Sequence, residues 1–418
     1  MNTPYKTLFI ICLIVLAWPV QAAMQRTIEL SSGIDVTLDV YGEPSRVRAL
    51  WLGSSFGLHP RHKQVAKAVA EQGLQVWQTD LTEALFLTHD AKSMREIPPG
   101  LVAELIDRLS EGGKYKLVLI SSTYGAIPAL RGAHAWLAQS PRQRSLAGVI
   151  LFSPYLYSYI PKLGEEPVFV PVTKSTSIPL YIFQDAKNTN RWHLPEMLTQ
   201  LRRHATVYTE YLKGVTSLFY DGDQAEETQA MLKAIPRKLV QILPLLENTQ
   251  YALASPPAIE TEVMDRAVGL DDKLRRAQAE FIVPTVSLVD INGKQVHLDN
   301  LKGRVSIINF WATWCPPCVE EIPSLNRLQK KMQGKAFQLI SINYAEPAKR
   351  IKKFMQRVQV DYPVLLDPDG EIAGQWKVVA FPSSFVIGPD GKLKYGVNSA
   401  IHWDTAEVVK QLDKLLEK

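Results

Sequence analysis

Two cysteines three positions apart, Cys315 and Cys318, are the residues of this 418-residue chain whose type and spacing most directly suggest chemistry. They follow the apolar segment Val305–Phe310, a predicted β-strand, and they precede a predicted helix that begins near Pro317, because proline is tolerated in a first helical turn. Cys315 then lies just before the helix, where unpaired N–H groups and the helix dipole favour a negative thiolate. Cys318 lies one turn inside, close enough to form a disulfide with it. A thiolate is the nucleophile in thiol–disulfide exchange, so this is the chemistry that the pair suits.

A structural zinc site and an inert disulfide are the two alternatives for this motif. Zinc needs two further ligands, but the third cysteine, Cys12, lies in a predicted signal peptide, and His297 and His402 are distant and isolated. The context of strand, Trp-Cys-x-x-Cys and helix argues against an inert disulfide. We therefore expect a redox-active pair with no metal and no bound cofactor.

The segment Phe310–Pro323 resembles the active site of the thioredoxin superfamily, and most closely that of the TlpA/ResA-type thiol-disulfide oxidoreductases of the bacterial envelope. The similarity extends from about Phe281 to the C-terminus. It includes Pro284–Gly293 with Leu298–Gly303, Tyr362–Asp367, Phe381–Ile387 and Pro389–Gly391. The resemblance implies a thioredoxin-like domain that acts as a thiol-disulfide oxidoreductase, in the sense of a protein-disulfide reductase.

The resemblance also implies roles for individual residues. Cys315 is expected to be the attacking thiol and Cys318 the resolving thiol of a redox-active disulfide. Pro382 matches the cis-proline that faces the motif in this superfamily, where the backbone of the preceding residue, Phe381, pairs with a substrate strand. Trp314 is expected to cover the attacking cysteine. Ordinary core packing remains the alternative for Trp314, and a trans-proline turn remains the alternative for Pro382.

Glu321 is a candidate proton acceptor. Thioredoxin carries a buried aspartate in the strand before its motif, whereas this chain has Asn309, which cannot shuttle a proton. Glu321 matches the glutamate that ResA-like proteins carry three residues after the second cysteine, and near the thiols it could take up a proton as Cys318 ionises. The alternative is a solvated helix carboxylate, and Glu320 is the residue expected to face solvent.

The composition is that of a globular protein large enough for two domains, with 46% apolar and 21% charged residues. A net charge of +5 is small for this length, and no cluster of basic residues interleaved with aromatics occurs, so a nucleic-acid partner is not expected.

The N-terminus has the features of a secretory signal. Lys6 is followed by the apolar stretch Leu8–Val20 and by a small-residue cleavage site, Val20-Gln-Ala22. We expect a signal peptide over residues 1–22 and a periplasmic or otherwise exported protein, with an uncleaved anchor as the alternative. If Cys12 is removed with the signal, the two remaining cysteines both belong to the motif, which favours a redox role over a structural one.

The region after the signal alternates apolar strands with helices, which predicts a parallel sheet covered on both faces. Strands are expected at Arg46–Leu52, Leu74–Asp80, Lys116–Ile120, Gly148–Phe152, Pro179–Phe183 and Thr206–Glu210, and helices near Arg61–Gln72, Pro99–Leu109, Ala126–Ala138 and Ala225–Leu232. The order of these elements resembles that of an α/β-hydrolase. The predicted fold class is therefore α/β, with a three-layer α/β-hydrolase-like domain followed by a thioredoxin-like domain.

The hydrolase resemblance does not extend to a complete catalytic site. The turn Ser121–Gly125 stands where the fold carries its nucleophile elbow, but the nucleophile position holds Thr123. Asp185 matches the acid, and no histidine follows the last strand before His297. Without a general base, a nucleophile has no evident activator, so we expect a scaffold used for binding or docking.

The expected domain boundaries follow from these patterns. They are a signal peptide over 1–22, a hydrolase-like and non-catalytic domain over 23–245, a linker over 246–280 and a thioredoxin-like domain over 281–418. The linker contains the stiff break Ser255-Pro-Pro257 and a predicted charged helix over Glu260–Glu280.

The expected partners are disulfide-containing envelope proteins, with apocytochrome c among them, and a membrane electron donor of the thiol-reducing type. The resemblance suggests cytochrome c biogenesis or general thiol maintenance as the pathway. The direction of the redox reaction is not derivable from the residues, because an oxidase uses the same groups at a different potential. Three other functions stay open: a bifunctional protein with an active hydrolase, an adaptor whose first domain binds a partner, and a peroxiredoxin-like peroxidase. The peroxidase is disfavoured because Thr313 lies two residues before Cys315 instead of three.

Overall fold

A computed structural model describes residues 23–139, 145–159, 161, 163, 165–251, 256–259, 273–277, 281–298 and 301–417. The predicted signal peptide lies outside these residues, as does most of the predicted linker helix. Among the helices of the described ranges, none has both the length and the apolar character that crossing a membrane requires. The described chain forms two mixed α/β units, each built on one eight-stranded sheet.

The N-terminal unit comprises the described part of residues 23–259. Its strands are β1 (Met24–Glu29), β2 (Asp35–Tyr41), β3 (Val47–Leu52), β4 (Gln75–Thr79), β5 (Lys116–Ser122), β6 (Leu146–Phe152), β7 (Leu180–Asp185) and β8 (Val207–Leu212). Their order is β1-β2-β4-β3-β5-β6-β7-β8. Strand β2 is antiparallel to both of its neighbours, and the other pairs are parallel. The parallel sheet predicted from the sequence is confirmed.

Helices cover both faces of this sheet and make the unit three layers thick. They are α1 (Pro60–Glu71), α2 (Leu81–Ala84), α3 (Ala91–Glu96), α4 (Pro99–Ser110), α5 (Ala126–Gln139), α6 (Val172–Ser175), α7 (Leu194–Leu201) and α8 (Glu226–Asn248). Strand β3 is buried along its whole length because its side chains alternate between the two cores. Ala49 and Trp51 belong to the core with α1 and α8, whereas Leu50 and Leu52 belong to the core with α4 and α5.

Helix α8 is longer than predicted and moves the expected boundary. The predicted helix ended near Leu232 and the domain at residue 245, but α8 continues to Asn248. Burial of its apolar face stabilises it in spite of two internal prolines, which normally disfavour a helix. Leu246 is fully buried and packs so closely on Gly148 that an added Cβ there would lie 3.2 Å from its side chain. The first residues of the predicted linker therefore belong to the N-terminal unit.

The C-terminal unit comprises the described part of residues 273–417. Its strands are β9 (Arg275–Arg276), β10 (Ser287–Asp290), β11 (Gln295–His297), β12 (Val305–Trp311), β13 (Phe337–Tyr344), β14 (Val364–Asp367), β15 (Ser383–Ile387) and β16 (Leu393–Val397). Its helices are α9 (Pro316–Lys331), α10 (Ala348–Met355), α11 (Glu371–Gln375) and α12 (Ala406–Leu416). The strand order is β11-β10-β14-β13-β12-β15-β16-β9, which places β12, the strand that leads into the cysteine motif, near the centre.

Two described residues of the predicted linker form an edge strand of this sheet instead of the predicted helix. Arg275 and Arg276 pair antiparallel with β16 as strand β9. Leu274, next to them, is buried in the core that contains Leu412 and Trp403. The helix predicted for this part of the linker is therefore wrong, because one buried leucine and the free edge of β16 hold the chain extended.

The two units are in direct contact through the loops that follow β7 and β8. The hydroxyl of Tyr344 donates to the carbonyl of Lys187 (2.5 Å), Nη2 of Arg350 donates to the carbonyl of Gly222 (2.9 Å), and Oγ1 of Thr189 donates to the carbonyl of Val379 (3.4 Å). The C-terminal ends of parallel strands lie at one edge of a sheet, and open α/β folds place ligand sites at that edge. The C-terminal unit therefore packs on the edge where an α/β-hydrolase carries its active site.

Candidate thiol active site

The two cysteines occupy the first turn of α9. Cys315 is the N-cap residue, and Pro316 and Pro317 fill the first two helical positions. Since proline has no N–H, the first free donor of the helix is the N–H of Cys318, which lies 3.3 Å from Sγ of Cys315. The sequence predicted unpaired helix N–H groups near Cys315, and the structure identifies the N–H of Cys318 as the one that faces its sulfur.

The cysteines form a disulfide in this structure, with an S–S distance of 2.07 Å. Cys315 is 5% exposed and Cys318 is fully buried, while both prolines between them are exposed. Cys315 is therefore slightly more exposed than Cys318. Its sulfur also faces a helix N–H donor, which favours a thiolate at Cys315 in the reduced protein.

Trp314 and Phe381 lie beside the cysteines, and the Phe381–Pro382 peptide bond is cis, as predicted. The rings of Trp314 and Phe381 meet edge to face, with centroids 5.8 Å apart. Trp314 also contacts Tyr220 of the N-terminal unit, at a centroid distance of 6.0 Å. The structure therefore brings all the predicted substrate-binding residues together, and it adds an aromatic residue from the other unit.

Glu321 is buried and hydrogen-bonded, so the alternative of a solvated carboxylate is wrong. Its side chain is on the same helix as Cys318, three residues later, and the residue is 3% exposed. Oε1 accepts from Nδ2 of Asn309 (2.7 Å) and Oε2 accepts from Nε1 of Trp403 (3.1 Å). Burial raises the pKa of Glu321 to about 8, and the two hydrogen bonds offset part of that rise. Glu320 is exposed, as predicted.

Glu346 is a second buried carboxylate near the motif, and sequence reasoning missed it. Its oxygens accept from the N–H (2.7 Å) and the hydroxyl (2.6 Å) of Thr313. They also accept from Nδ2 of Asn343 (3.0 Å) and pair with Nε of Arg350 (2.8 Å). Glu346 thus fixes the residue that lies two positions before Cys315. Glu346 lies two residues after the end of β13, and no motif in the sequence marks this position.

The turn after β5, where an α/β-hydrolase would carry its nucleophile elbow, is strained. Thr123 follows β5 with a φ of 48°, a conformation that is costly for a β-branched residue. Gly125 is needed for close approach, since an added Cβ would lie 2.5 Å from the carbonyl oxygen of Gly53. The hydroxyl of Thr123 is buried and has no hydrogen-bond partner among the described residues.

His62 of α1 lies next to this turn. Its Nε2, the nitrogen that faces Ser122, carries the ring proton, so it cannot act as a base there. Nε2 of His62 lies 3.4 Å from Oγ of Ser122, and Nδ1 accepts the N–H of His59 (3.1 Å). A neutral ring that accepts at Nδ1 carries its proton on Nε2, so it donates toward Ser122 and cannot take its proton. Burial lowers the pKa of His62 to about 3, which keeps the ring neutral. Its face is stacked on Phe219 at 4.3 Å.

Asp185 is the residue that matches the hydrolase acid. Among the described residues, no histidine forms a hydrogen bond with its carboxylate. Oδ2 accepts the N–H of Leu218 (3.2 Å), and Oδ1 has no partner among the described residues. Burial raises the pKa of Asp185 to about 7. The nucleophile, base and acid positions of a hydrolase are therefore not joined as a triad.

Comparison with known proteins identifies the C-terminal unit. A family model described as the AhpC/TSA family matches residues 280–396. The thiol-disulfide oxidoreductase ResA of Bacillus thuringiensis subsp. konkukian (strain 97-27) is 32% identical over 135 residues, which are 32% of this chain and 75% of that protein. The protein of the same name from Bacillus subtilis (strain 168) is 34% identical over 110 residues, which are 26% of this chain and 62% of that protein.

Solved structures similar to the chain include a thiol:disulfide interchange protein of the thioredoxin family from Chlorobium tepidum TLS. It is 29% identical, covers 32% of this chain and 98% of its own, and has a TM-score of 0.29. The family assignment rests on the ResA relatives, with which the paired cysteines at the start of α9 agree. Through its C-terminal unit, the chain belongs to the ResA-like thiol-disulfide oxidoreductases of the thioredoxin superfamily, and it is an oxidoreductase.

Proposed function

We propose that the protein is an exported reductase of protein disulfides that works through the dithiol Cys315-Pro-Pro-Cys318. The observation that carries this proposal is the placement of Sγ of Cys315 at the start of α9, within 3.3 Å of the Cys318 N–H. That donor and the helix dipole stabilise a thiolate in the reduced protein, and the thiolate is the attacking species in disulfide exchange.

The reaction has two exchange steps. The thiolate of Cys315 attacks one sulfur of a substrate disulfide, and the other substrate sulfur leaves as a thiolate. The thiolate of Cys318 then attacks Sγ of Cys315, which releases the second substrate thiolate and forms the Cys315–Cys318 disulfide. Two electrons pass to the substrate, whose thiolates take up protons from solvent or from Glu321. A membrane electron donor of the thiol-reducing type would restore the dithiol.

Glu321 is proposed to exchange a proton with Cys318, with its ionised fraction accepting the proton that the thiol releases. It lies one helical turn beyond that cysteine, is 3% exposed, and has a pKa raised to about 8 by burial. A carboxyl group that ionises near the pH of the reaction is suited to exchange a proton with a thiol. We expect the thiol titration of Cys318 and the rate of the resolving step to change in Glu321→Gln but not in Glu320→Gln.

The proposed cellular setting follows from the signal-like N-terminus and the resemblance to envelope oxidoreductases. We propose a mature periplasmic protein that starts near Ala23, or one that is anchored by an uncleaved signal. Disulfide-containing envelope proteins are the proposed substrates, with apocytochrome c among them, and cytochrome c biogenesis is the proposed pathway. The hydrolase-like domain is proposed to end with α8, and the thioredoxin-like domain to include β9.

The N-terminal unit is proposed to be a non-catalytic scaffold that positions a partner. Two observations support a lack of hydrolysis: the protonated Nε2 of His62, and the buried hydroxyl of Thr123, which has no hydrogen-bond partner among the described residues. Fusing a binding unit to a thiol unit raises the local concentration of whatever it binds. The alternative of a bifunctional enzyme requires turnover of an ester by this unit.

A peroxidase is the second candidate, because the matching family model is that of the AhpC/TSA family. The hydroxyl of Thr313 donates to Oε1 of Glu346 (2.6 Å), so its proton is engaged by a carboxylate. Consumption of hydrogen peroxide by the reduced protein, abolished in Cys315→Ser, would favour the peroxidase.

The experiment that tests the main proposal is capture of the mixed disulfide. Cys318→Ala, expressed in the envelope, should accumulate proteins bound through Cys315, because the resolving step is missing. The double variant Cys315→Ser/Cys318→Ala is the matched control and should capture none. Purified reduced protein should also reduce a short peptide that carries one disulfide. No captured protein together with no reduction of the peptide would refute the proposed activity.

A further inference from the structure

Tyr220 of the N-terminal unit lies over a residue of the thiol site. Its ring meets that of Trp314 edge to face at a centroid distance of 6.0 Å, and Trp314 in turn meets Phe381 at 5.8 Å. Trp314 is only partly exposed, and its indole N–H is buried with no hydrogen-bond partner among the described residues. Tyr220 therefore covers one of the two aromatic residues that flank Cys315.

The loop that carries Tyr220 is built to hold the ring in place. An added Cβ on Gly222 would lie 2.3 Å from the Tyr220 ring, so the ring packs directly against the backbone of this glycine. The carbonyl of Tyr220 accepts the N–H of Asp223 (3.0 Å). The carboxylate of Asp223 accepts from the hydroxyl of Thr228 (2.8 Å), which ties the loop to the start of α8.

Arg350 of the C-terminal unit anchors this loop to the thiol site. Nη2 of Arg350 donates to the carbonyl of Gly222 (2.9 Å), and Nη1 lies 3.9 Å from Oδ1 of Asp223. Nε of the same side chain pairs with Glu346 at 2.8 Å, and Glu346 holds Thr313. Glu346 thus connects the two loops: it binds Thr313 before the cysteines directly, and it holds the Tyr220 loop through Arg350.

The N-terminal unit also contacts residues next to Phe381, the second aromatic residue of the site. Tyr344 packs on Phe381 at 4.9 Å and donates to the carbonyl of Lys187, and Thr189 contacts the carbonyl of Val379 in the loop before the cis-proline. A disulfide in a folded protein is surrounded by the surface of that protein. To reach Cys315, this surface would need free space on both sides of the cysteine. Only 5% of Cys315 is exposed in this arrangement.

We infer that Tyr220 is a specificity-determining residue of the thiol site. It narrows the approach to Cys315, so the site accepts disulfides in small molecules or extended chain segments and discriminates against those of compact folded proteins. This inference rests on the proposed disulfide-reductase function and names its substrate class. Thiol–disulfide exchange requires the attacking sulfur to reach a substrate sulfur directly. A side chain that narrows the approach therefore hinders bulky substrates and not small ones.

The test compares three substrates in the full-length reduced protein: 2-hydroxyethyl disulfide, a short peptide with a Cys-x-x-Cys disulfide, and insulin as a compact protein. The variants are Tyr220→Ala and Tyr220→Phe, with Tyr211→Ala as a control, since Tyr211 is half exposed on β8 of the same unit. Gly222→Ala is an independent variant, because its new methyl group would displace the Tyr220 ring without removing it.

We expect Tyr220→Ala to raise kcat/KM for insulin by about fivefold or more, and to leave kcat/KM for 2-hydroxyethyl disulfide within about twofold of wild type. Gly222→Ala should also raise the ratio of kcat/KM for insulin to kcat/KM for 2-hydroxyethyl disulfide. Tyr220→Phe and Tyr211→Ala should leave this ratio unchanged. Activity on the small disulfide also reports that each variant is folded.

Two results would overturn the inference: an unchanged ratio of insulin to small-disulfide activity in Tyr220→Ala, or a lower one. The second would make Tyr220 a platform that binds protein substrates. Failure of the wild-type protein and every variant to reduce any of the three disulfides would instead refute the proposed function, and the inference with it. The small disulfide thus separates the two kinds of failure.

Discussion

The indole N–H of Trp403 donates to Oε2 of Glu321 across 3.1 Å, although the two residues are 82 positions apart. Trp403 is fully buried, and it brings a donor from just before α12 to the carboxyl group of Glu321, which lies three residues after Cys318 in α9. The other oxygen of Glu321 is held by Asn309. Glu321 is therefore an ordered internal acid whose ionisation must affect the stability of the folded chain.

The first prediction concerns the pH dependence of stability. Burial raises the pKa of Glu321 to about 8, above its ordinary value of 4.5, so between these two pH values the folded state holds a proton that the unfolded state has released. The contribution of Glu321 to the free energy of unfolding is complete below about pH 4.5 and is lost as the pH rises toward about 8. In Glu321→Gln, this loss should be absent.

Chemical unfolding of the oxidised wild type and of Glu321→Gln at pH 5 and pH 8 measures this effect. The variant should gain stability relative to the wild type as the pH rises, and any constant cost of the substitution cancels in the comparison. Glu320→Gln, at the exposed neighbouring position, should follow the wild type. Parallel pH curves for wild type and Glu321→Gln would contradict the assigned ionisation.

The second prediction concerns the cysteines. Cys315→Ser should lose reduction of a peptide disulfide, by about two orders of magnitude or more, because serine is not a thiolate nucleophile at neutral pH. Cys318→Ala should still attack but should stop at the mixed disulfide. Mass spectrometry of each variant after mixing with the peptide reports the adduct. An adduct on Cys318 in the Cys315→Ser variant, formed at the wild-type rate, would reverse the two roles.

The third prediction concerns Glu346. Glu346→Gln removes the closer of the two carboxylates that face Arg350 and weakens the two hydrogen bonds to Thr313, so we expect a loss of about 2 kcal/mol in the free energy of unfolding. Urea unfolding followed by tryptophan fluorescence measures the change. Glu371→Gln, at an exposed position in α11, is the matched control and should shift stability by less than about 0.5 kcal/mol. Equal effects of the two substitutions would show that the Glu346 contacts contribute little.

The fourth prediction concerns hydrolysis. The N-terminal unit should turn over no ester from a broad panel, and a fluorophosphonate probe should not label the full-length protein. His62 cannot act as a base toward Ser122 while its Nδ1 accepts a backbone N–H. Stoichiometric labelling at Ser122, or turnover that is abolished by Ser122→Ala or Thr123→Ala, would establish a bifunctional enzyme.

The local part of the thiol site was predictable because neighbouring residues determine it. The strand, the two prolines and the cysteines specify the helix start within a few positions, and β12 and α9 lie where the pattern indicated. Pro382 was found by its motif and not by physical reasoning, since no local pattern specifies which proline faces the cysteines.

The rest of the site depends on contacts between distant residues, which no local pattern encodes. Glu346 reaches Thr313 across 33 positions, and its role depends on where β13 lies relative to β12. Tyr220 belongs to a different unit from the cysteines, so its contact with Trp314 requires the packing of the two units. His62 was missed because the hydrolase pattern directs attention to the loop after the last strand.

Strand β9 has a consequence for how the C-terminal unit can be isolated. A fragment that starts at the expected boundary, residue 281, lacks Arg275 and Arg276 and leaves the outer edge of β16 without its hydrogen-bonding partner. It also lacks Leu274, so part of the core around Trp403 would become exposed to water. Unpaired edge strands associate with one another. A fragment that begins before Leu274 should therefore remain monomeric at concentrations at which the shorter fragment aggregates.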